Sequence, residues 1–352
     1  MIKTIIYIIL FSAVLCNAQN TGLKLIPVDG TGIRVYGLYF FDYSNPLFQR
    51  LDDSTKYREK IWELSKLPAG ARVRFKTNST KLFFPLKNLT SYAWKNTSLI
   101  GWGGCDVYIN NKYFISITYD NVDTLDLKEL ADGSKINSVD LYLPNYGTAA
   151  ITQVGIDSSA QILPPDDYDD VILFYGTSIT QGASADRASN SFPALISREL
   201  NADFYNFGFS GNGKGEEEIQ NTLSSIEADL YVLKYSLQAD NGNTTKQNLI
   251  DFVTKIKTKH PDAAVLIISA FHHTPEEYNP SVRENTKQRR DDFFTAYNEL
   301  KNTYSRIYFE DGLNLIGPDD DDTLADGVHP NTYGFKLAAQ RILPLIRNIL
   351  QK

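Results

Sequence analysis

Ser178 sits in Tyr175-Gly176-Thr177-Ser178-Ile179-Thr180-Gln181-Gly182, directly after an apolar run, and its flanking glycines predict a tight strand-to-helix turn. Such a turn projects the hydroxyl into a crevice, and the helix start beyond it leaves backbone N–H groups free to face an oxyanion. A second segment, Phe207-Gly208-Phe209-Ser210-Gly211-Asn212-Gly213, lets the backbone approach a ligand closely, with Gly211 able to aim its N–H at developing negative charge. Further on, Asp326-Gly327-Val328-His329-Pro330 places a carboxylate and an imidazole three residues apart in a turn. At that spacing one Asp oxygen can hold the ring Nδ1–H while Nε2 faces a nucleophile, or the Asp can at least fix the ring's orientation. These residue types describe acyl transfer, in which a hydroxyl is a weak nucleophile until a neighbouring imidazole removes its proton. Singly, each has a plainer reading as a turn serine, a glycine loop or a helix start. Only convergence on one edge of one sheet gives them a common task.

The elements that must bring them together follow Pro164-Pro165-Asp166-Asp167. Beyond that proline-bearing acidic stretch, apolar runs alternate with amphipathic helices, the order of a doubly wound parallel sheet. Strands are expected at Val171 to Tyr175, Asp203 to Phe207, Leu230 to Lys234, Val265 to Ser269 and Arg306 to Phe309. Helices are expected near Ser191 to Leu200, Glu216 to Ser225, Thr245 to Lys259, Glu284 to Tyr304 and Asn331 to Leu350. Ligands of open α/β sheets bind outside the carboxyl ends of the strands, which is where Ser178, Gly211 and the Asp326/His329 turn fall. From Thr21 to Ile162 the pattern is different: short alternating runs such as Ile33 to Tyr36, Arg72 to Phe75, Lys81 to Phe84, Val107 to Ile109, Tyr113 to Ile117 and Val139 to Tyr142 predict an antiparallel sandwich. Asn110-Asn111 reads as a hairpin turn, and Tyr57 to Leu67 is the one helix expected in this half.

Composition is that of a globular chain, 352 residues with 42% hydrophobic and 22% charged, and the net charge of -7 offers no basic face for nucleic acid. The 21 Tyr and 3 Trp permit sugar stacking, but sandwich cores account for them first. The opening residues combine Lys3, an apolar run from Ile5 to Leu15 and Cys16-Asn17-Ala18, the pattern of a secretory leader cleaved after Ala18. That run is shorter than the ~20 residues a membrane crossing needs, so no stable membrane insertion is expected. The expected organisation is a leader at 1–18, a sandwich at 19–163 and an α/β domain at 164–352. Cys105 would then be the single thiol of the mature chain, with no disulfide, which suits a bacterial periplasm or cell surface.

The C-terminal half resembles the SGNH/GDSL hydrolases from about Asp166 to Lys352, in three blocks. Tyr-Gly-Thr-Ser-Ile-Thr-Gln-Gly is similar to the family's first block in a GTS form, Phe-Ser-Gly-Asn-Gly to the second, and Asp-Gly-Val-His-Pro to the D-x-x-H block. The resemblance implies Ser178 as nucleophile, Gly211 as an oxyanion donor beside the Ser178 N–H, and Asp326 and His329 as the base machinery. It also implies a flavodoxin-like three-layer α/β/α domain without a cofactor. One block departs from the pattern: after the third strand the chain reads Lys234-Tyr235-Ser236-Leu237-Gln238-Ala239-Asp240-Asn241, where an Asn amide is expected near Gln238. Either Gln238 substitutes with a longer amide or Asn241 reaches in, with Asn212 a further amide in range. Ser138 to Pro144 and Val154 to Asp157 resemble the jelly-roll-like β-sandwich module of a subset of bacterial carbohydrate esterases, which implies an O-acylated, commonly O-acetylated, glycan as substrate.

Other residues compete for roles. His272-His273 follow the fourth strand and are candidates for substrate binding, for a rival base or for half a metal site, but no Cys or carboxylate stands at ligand spacing, and no metal is expected. Asp319 to Asp322 lacks the alternating register of a calcium loop and reads as a solvated acidic loop. Lys234 occupies a position where related chains often carry an acidic residue. The sequence therefore predicts an exported serine esterase acting on acylated glycans. A small-ester lipase or thioesterase and a catalytically inactive carbohydrate-binding protein are the alternatives.

Overall fold

The computed structural model describes residues 22–56, 58–93, 97–121, 124–128, 133–235 and 245–351. The leader at 1–18, Gln238 and Asn241 lie outside the described residues.

Two antiparallel sheets form the N-terminal half. One runs Leu23–Pro27, Gln153–Asp157, Lys81–Phe83, Leu125–Asp126 in spatial order; the other runs Ile162–Leu163, Arg72–Thr77, Asn137–Tyr142, Cys105–Ile109, Lys112–Ile117, with Arg34–Tyr36 beside Arg72–Thr77. Period-two alternation sends Val73, Phe75, Val107, Val139 and Leu141 inward against Leu82, Phe84, Val154 and Ile156. The opposite face of the second sheet is covered by the α/β domain, so Arg72, Asp106, Tyr108, Asp140 and Tyr142 are buried although they alternate outward. Asn110 and Asn111 join two strands at φ 50° and 61°, both left-handed as a two-residue hairpin of that hand requires. The expected helix is Glu59–Ser65, and a second, Leu99–Gly103, was not anticipated: five residues are too short for periodicity to register, although Ser98 caps it by accepting from the Gly101 N–H at 3.0 Å.

The C-terminal half is a five-stranded parallel sheet in the order Asp203–Gly208, Val171–Gly176, Leu230–Lys234, Ala264–Ile268, Ile307–Glu310. This 2-1-3-4-5 order is the flavodoxin-like arrangement. Helices Phe192–Leu200 and Thr332–Leu350 cover one face, and Glu217–Leu223, Thr245–Lys259 and Pro280–Thr303 the other. The long helix begins four residues before its expected start because Asn279 accepts from the N–H groups of Ser281 and Val282, with Pro280 preset for the first turn. Asp319 to Asp322 is not a free loop: it lies in a 3₁₀ turn, Pro318–Thr323, where Asp320 pairs with Arg341 of the last helix and accepts the Gly317 N–H.

Polar contacts join the halves. Arg72 pairs with Asp203, the Tyr108 hydroxyl donates to Ser189 Oγ at 3.1 Å, and Asp106 accepts the Ser189 N–H at 2.8 Å. Gln181 donates to the Asn145 carbonyl at 2.9 Å, and Asn145 donates to the Ala188 carbonyl at 3.1 Å. The first of these two ends on the turn that carries Ser178. Among the described residues no helix is long and apolar enough to cross a membrane.

Candidate active site

The first parallel strand ends at Gly176, and Ser178–Gln181 form a single helical turn that stops at Gly182, whose φ of 105° only glycine adopts readily. Thr177 makes no side-chain cap, and the Ser178 N–H, first in the turn, makes no hydrogen bond to a described residue. The second strand passes so close behind that a Cβ on Gly208 would collide with the backbone N and Cα of Gln181. Gln181 is fully buried and accepts the Ser210 N–H at 2.9 Å, which fixes the second glycine loop to the serine turn. Gly211, next in that loop, has φ 66° and open space about its Cα, and its N–H makes no hydrogen bond to a described residue.

Asp326 folds its own turn before it meets the imidazole. Its Oδ1 accepts the N–H groups of Val328 at 3.0 Å and His329 at 2.8 Å, while Oδ2 accepts His329 Nδ1–H at 2.8 Å. The other ring nitrogen, Nε2, lies 2.8 Å from Ser178 Oγ. Three side chains drawn from opposite ends of the α/β domain thus form one hydrogen-bonded chain. Partial burial raises the proton affinity of Asp326, but the two backbone N–H groups and the imidazole outweigh it and hold the carboxyl below the ordinary carboxylate range. In the neutral ring, an Nδ1–H held by Asp326 leaves the Nε2 lone pair facing the hydroxyl, the tautomer that can accept its proton.

A cavity of ≈ 380 Å³ opens beside this chain, lined by Asp326, His329, Ser210, Ala183 and Ser184 and, from the sandwich, by Leu64, Leu67, Thr97, Gly101, Trp102 and Tyr146. Trp102 and Tyr146 stack at 4.8 Å between ring centroids, and the Tyr146 hydroxyl donates to the Ser178 carbonyl at 3.3 Å. The sandwich therefore builds one wall of the site, which the sequence reading did not anticipate. The local signal was present in Gly101-Trp102-Gly103-Gly104, a large ring set among glycines, but no spacing ties it to Ser178. A larger hollow of ≈ 870 Å³ lies at the amino ends of the strands around Asp170, Asp229 and Arg306. That edge of an α/β sheet is not where ligands bind, and it lies away from Ser178 and His329.

Other expected residues fall elsewhere. Asn212 spends its amide on the Ser210 carbonyl at 3.0 Å and lines a different hollow with Arg58 and Lys214. His272 and His273 do not line the cavity. His272 is buried with Nε2 3.3 Å from Glu277 Oε1, and burial, with the Lys234 charge, pushes His273 down to about 4. Their segment braces the Asp326–His329 turn from behind, since the Thr274 N–H donates to the Gly327 carbonyl at 2.9 Å. Among the described residues no group of three His, Cys, Asp or Glu is placed to hold a metal ion.

Residues 169–347 match the GDSL-like Lipase/Acylhydrolase family, and residues 29–162 match the GxDLY family, described as the N-terminus of the SGNH-hydrolase type of esterase. Among solved structures, an assigned GDSL-like lipase from Bacteroides ovatus is 27% identical, with a TM-score of 0.78 over 94% of this chain and 98% of its own. The salicylyl-acyltransferase SsfX3 of a tetracycline biosynthetic pathway has a TM-score of 0.79 at 17% identity, over 94% and 97%. The acetyl xylan esterase Est2A of the rumen bacterium Butyrivibrio proteoclasticus has 0.59 at 14%, over 94% and 100%. No curated protein matches the sequence. The chain belongs to the GDSL-like lipase/acylhydrolase family and is a carboxylic ester hydrolase of the SGNH type with a GxDLY N-terminal domain.

Proposed function

We propose that this esterase removes O-acetyl groups from a polysaccharide or oligosaccharide through an acyl-serine intermediate. The observation that carries the reading is the unbroken chain from Ser178 Oγ through His329 to Asp326. His329 Nε2 takes the Ser178 proton as Oγ attacks the ester carbonyl, and Asp326 stabilises the imidazolium that results. The N–H groups of Ser178 and Gly211 meet the tetrahedral oxyanion. As the bond from the carbonyl carbon to the sugar oxygen breaks, His329 gives its proton to that oxygen and the sugar leaves as an alcohol; water, activated by the same imidazole, then releases acetate.

Support for a sugar ester comes from the Trp102/Tyr146 stack, a flat apolar face on which a pyranose can lie, with Thr97, Ser184 and Ser210 as polar neighbours. The cavity sits near the low end of the ~300–1,000 Å³ of small-molecule sites, which favours a short acyl group. Est2A, named as an acetyl xylan esterase, suggests the same class. Leu64 and Leu67 on the cavity wall favour a second reading, a small apolar acyl ester with a non-sugar alcohol. The same proposal places the protein outside the cytoplasm, with residues 1–18 removed, so that the exported chain begins at Gln19 when its N-terminus is sequenced.

Acetate release from acetylated xylan, mannan and pectin, with Ser178→Ala as control, tests the proposal. Release by the wild type and none by the variant supports it. Hydrolysis confined to simple alkyl or aryl esters supports the second reading, and glycan binding with no hydrolysis of any ester overturns both.

A further inference from the structure

Arg50 is 1% exposed, and no carboxylate pairs with it among the described residues. Every one of its side-chain hydrogen bonds goes to a backbone carbonyl: Nε to Leu67 at 2.9 Å, Nη2 to Leu64 at 2.7 Å, and Nη1 to both Asn206 at 2.8 Å and Gly208 at 2.6 Å. The guanidinium carbon lies 4.6 Å from the centroid of the Phe209 ring. Burial pushes Arg50 down from its ordinary value to about 9, which leaves it charged at neutral pH.

A buried cation held only by carbonyls is costly, and a packed apolar side chain usually serves stability as well or better. What it holds explains its use. Among the described residues Asp203–Gly208 is an edge strand, and the carbonyls of Asn206 and Gly208, two residues apart, point away from its one strand neighbour there. Arg50 stands where the next strand would be, at the point where this strand passes through Phe209 and Ser210 to Gly211. Its other two bonds fix the carbonyls of Leu64 and Leu67, whose residues line the cavity wall. One planar group thus ties the sandwich's wall to the base of the Gly211 loop, with donors in a fixed fork that lysine does not reproduce.

We propose that Arg50 is a positioning residue that sets the Gly211 N–H against the oxyanion, so that the sandwich domain controls the acyl-transfer rate itself and not only substrate capture. The inference rests on the esterase reading above. Its test compares the wild-type full chain with Arg50→Lys and Arg50→Met, measuring kcat and KM on p-nitrophenyl acetate and the inhibition constant of an alkylboronic acid. The boronate forms a tetrahedral adduct on the serine and so reads the oxyanion site directly. Misplacing a reacting group by about 1 Å costs ~10²-fold. The expected result is a kcat fall of about 10²-fold in Arg50→Met, with KM nearly unchanged and boronate binding weakened in step. Arg50→Lys should be intermediate, because an ammonium has fewer donors than the carbonyls require. Circular dichroism establishes that each variant is folded; if Arg50→Met does not fold, Arg50→Lys decides the matter on the same measurements. Folded variants that keep the wild-type kcat and boronate affinity, or that change only KM, overturn the inference. A wild type inactive on every ester overturns the reading beneath it instead.

Discussion

Replacing Asp326 with Asn exchanges one carboxylate oxygen for an NH₂ group, and the surrounding hydrogen bonds decide which oxygen is lost. Oδ1 accepts two backbone N–H groups, from Val328 and His329, whereas Oδ2 accepts only the imidazole Nδ1–H. An Asn that keeps its oxygen on the backbone retains two bonds, and one that flips retains a single bond and sets NH₂ against two donors. At about 1 kcal/mol per bond, the unflipped orientation is favoured by roughly 1–2 kcal/mol. Its NH₂ then donates to Nδ1 and forces the ring proton onto Nε2, facing Ser178 Oγ. A ring protonated there cannot accept the serine proton. The wrong tautomer in such a relay costs about 10⁴ in kcat, or about 5.5 kcal/mol at 1.36 kcal/mol per decade. Asp326→Ala, which leaves both tautomers open, is predicted to be no slower than Asp326→Asn. Initial rates of p-nitrophenyl acetate hydrolysis at pH 8, with melting curves to establish folding, measure both. A folded Asp326→Asn enzyme within tenfold of wild type refutes the argument.

Gly208→Ala should drive a Cβ into the backbone of Gln181 and displace the serine turn, lowering kcat by ~10² or more and stability by about 1–3 kcal/mol; a fully active variant in the same assay contradicts that close approach. Trp102→Ala should remove the stacked face, raising KM for an acetylated oligosaccharide by up to about tenfold, as 0.5–1.5 kcal/mol per aromatic contact implies, with kcat on p-nitrophenyl acetate little changed. Lys234 lies over the Phe271 ring at 3.7 Å, and burial, with the charge of Arg290, pushes it down to about 7 from an ordinary 10.5. The unfolded chain keeps that proton up to the ordinary value, so between the two values it binds more protons than the native state, and native stability rises with pH. Lys234→Met should therefore raise the Tm markedly at pH 6 and much less at pH 10, and an equal gain at both pH values would count against a buried charged lysine.

What the sequence made legible is local. Each strand of the parallel sheet appears within one or two residues of its expected place, because a buried parallel strand is a short apolar run between breakers, and the chemistry-bearing residues come immediately after it. Ser178 and Gly211 were placed at the sheet's carboxyl edge on that ground, and Asp326 and His329 by their spacing in the turn before the last helix. The contribution of the sandwich was not: Leu64, Trp102 and Tyr146 reach the site only because the outer face of one antiparallel sheet docks on the α/β domain. Alternation gave the inward face correctly, yet it cannot say that the other face is covered too. His272 and His273 stand at the right sheet edge, but the short helix Pro275–Tyr278 and the Glu276/Arg290 pair turn their segment into a support. Asn212 was in range by sequence, and a bond to its own loop withdrew its amide.

The central claim is that one proton passes from Ser178 to His329. Labelling with an alkyl fluorophosphonate, followed by mass spectrometry of the digested protein, reads it without any assumption about the natural substrate. The adduct is predicted on the peptide bearing Ser178, absent in Ser178→Ala and slowed by at least about 10²-fold in His329→Ala. An adduct on another residue, or labelling of Ser178 at an unchanged rate without the imidazole, would contradict the account.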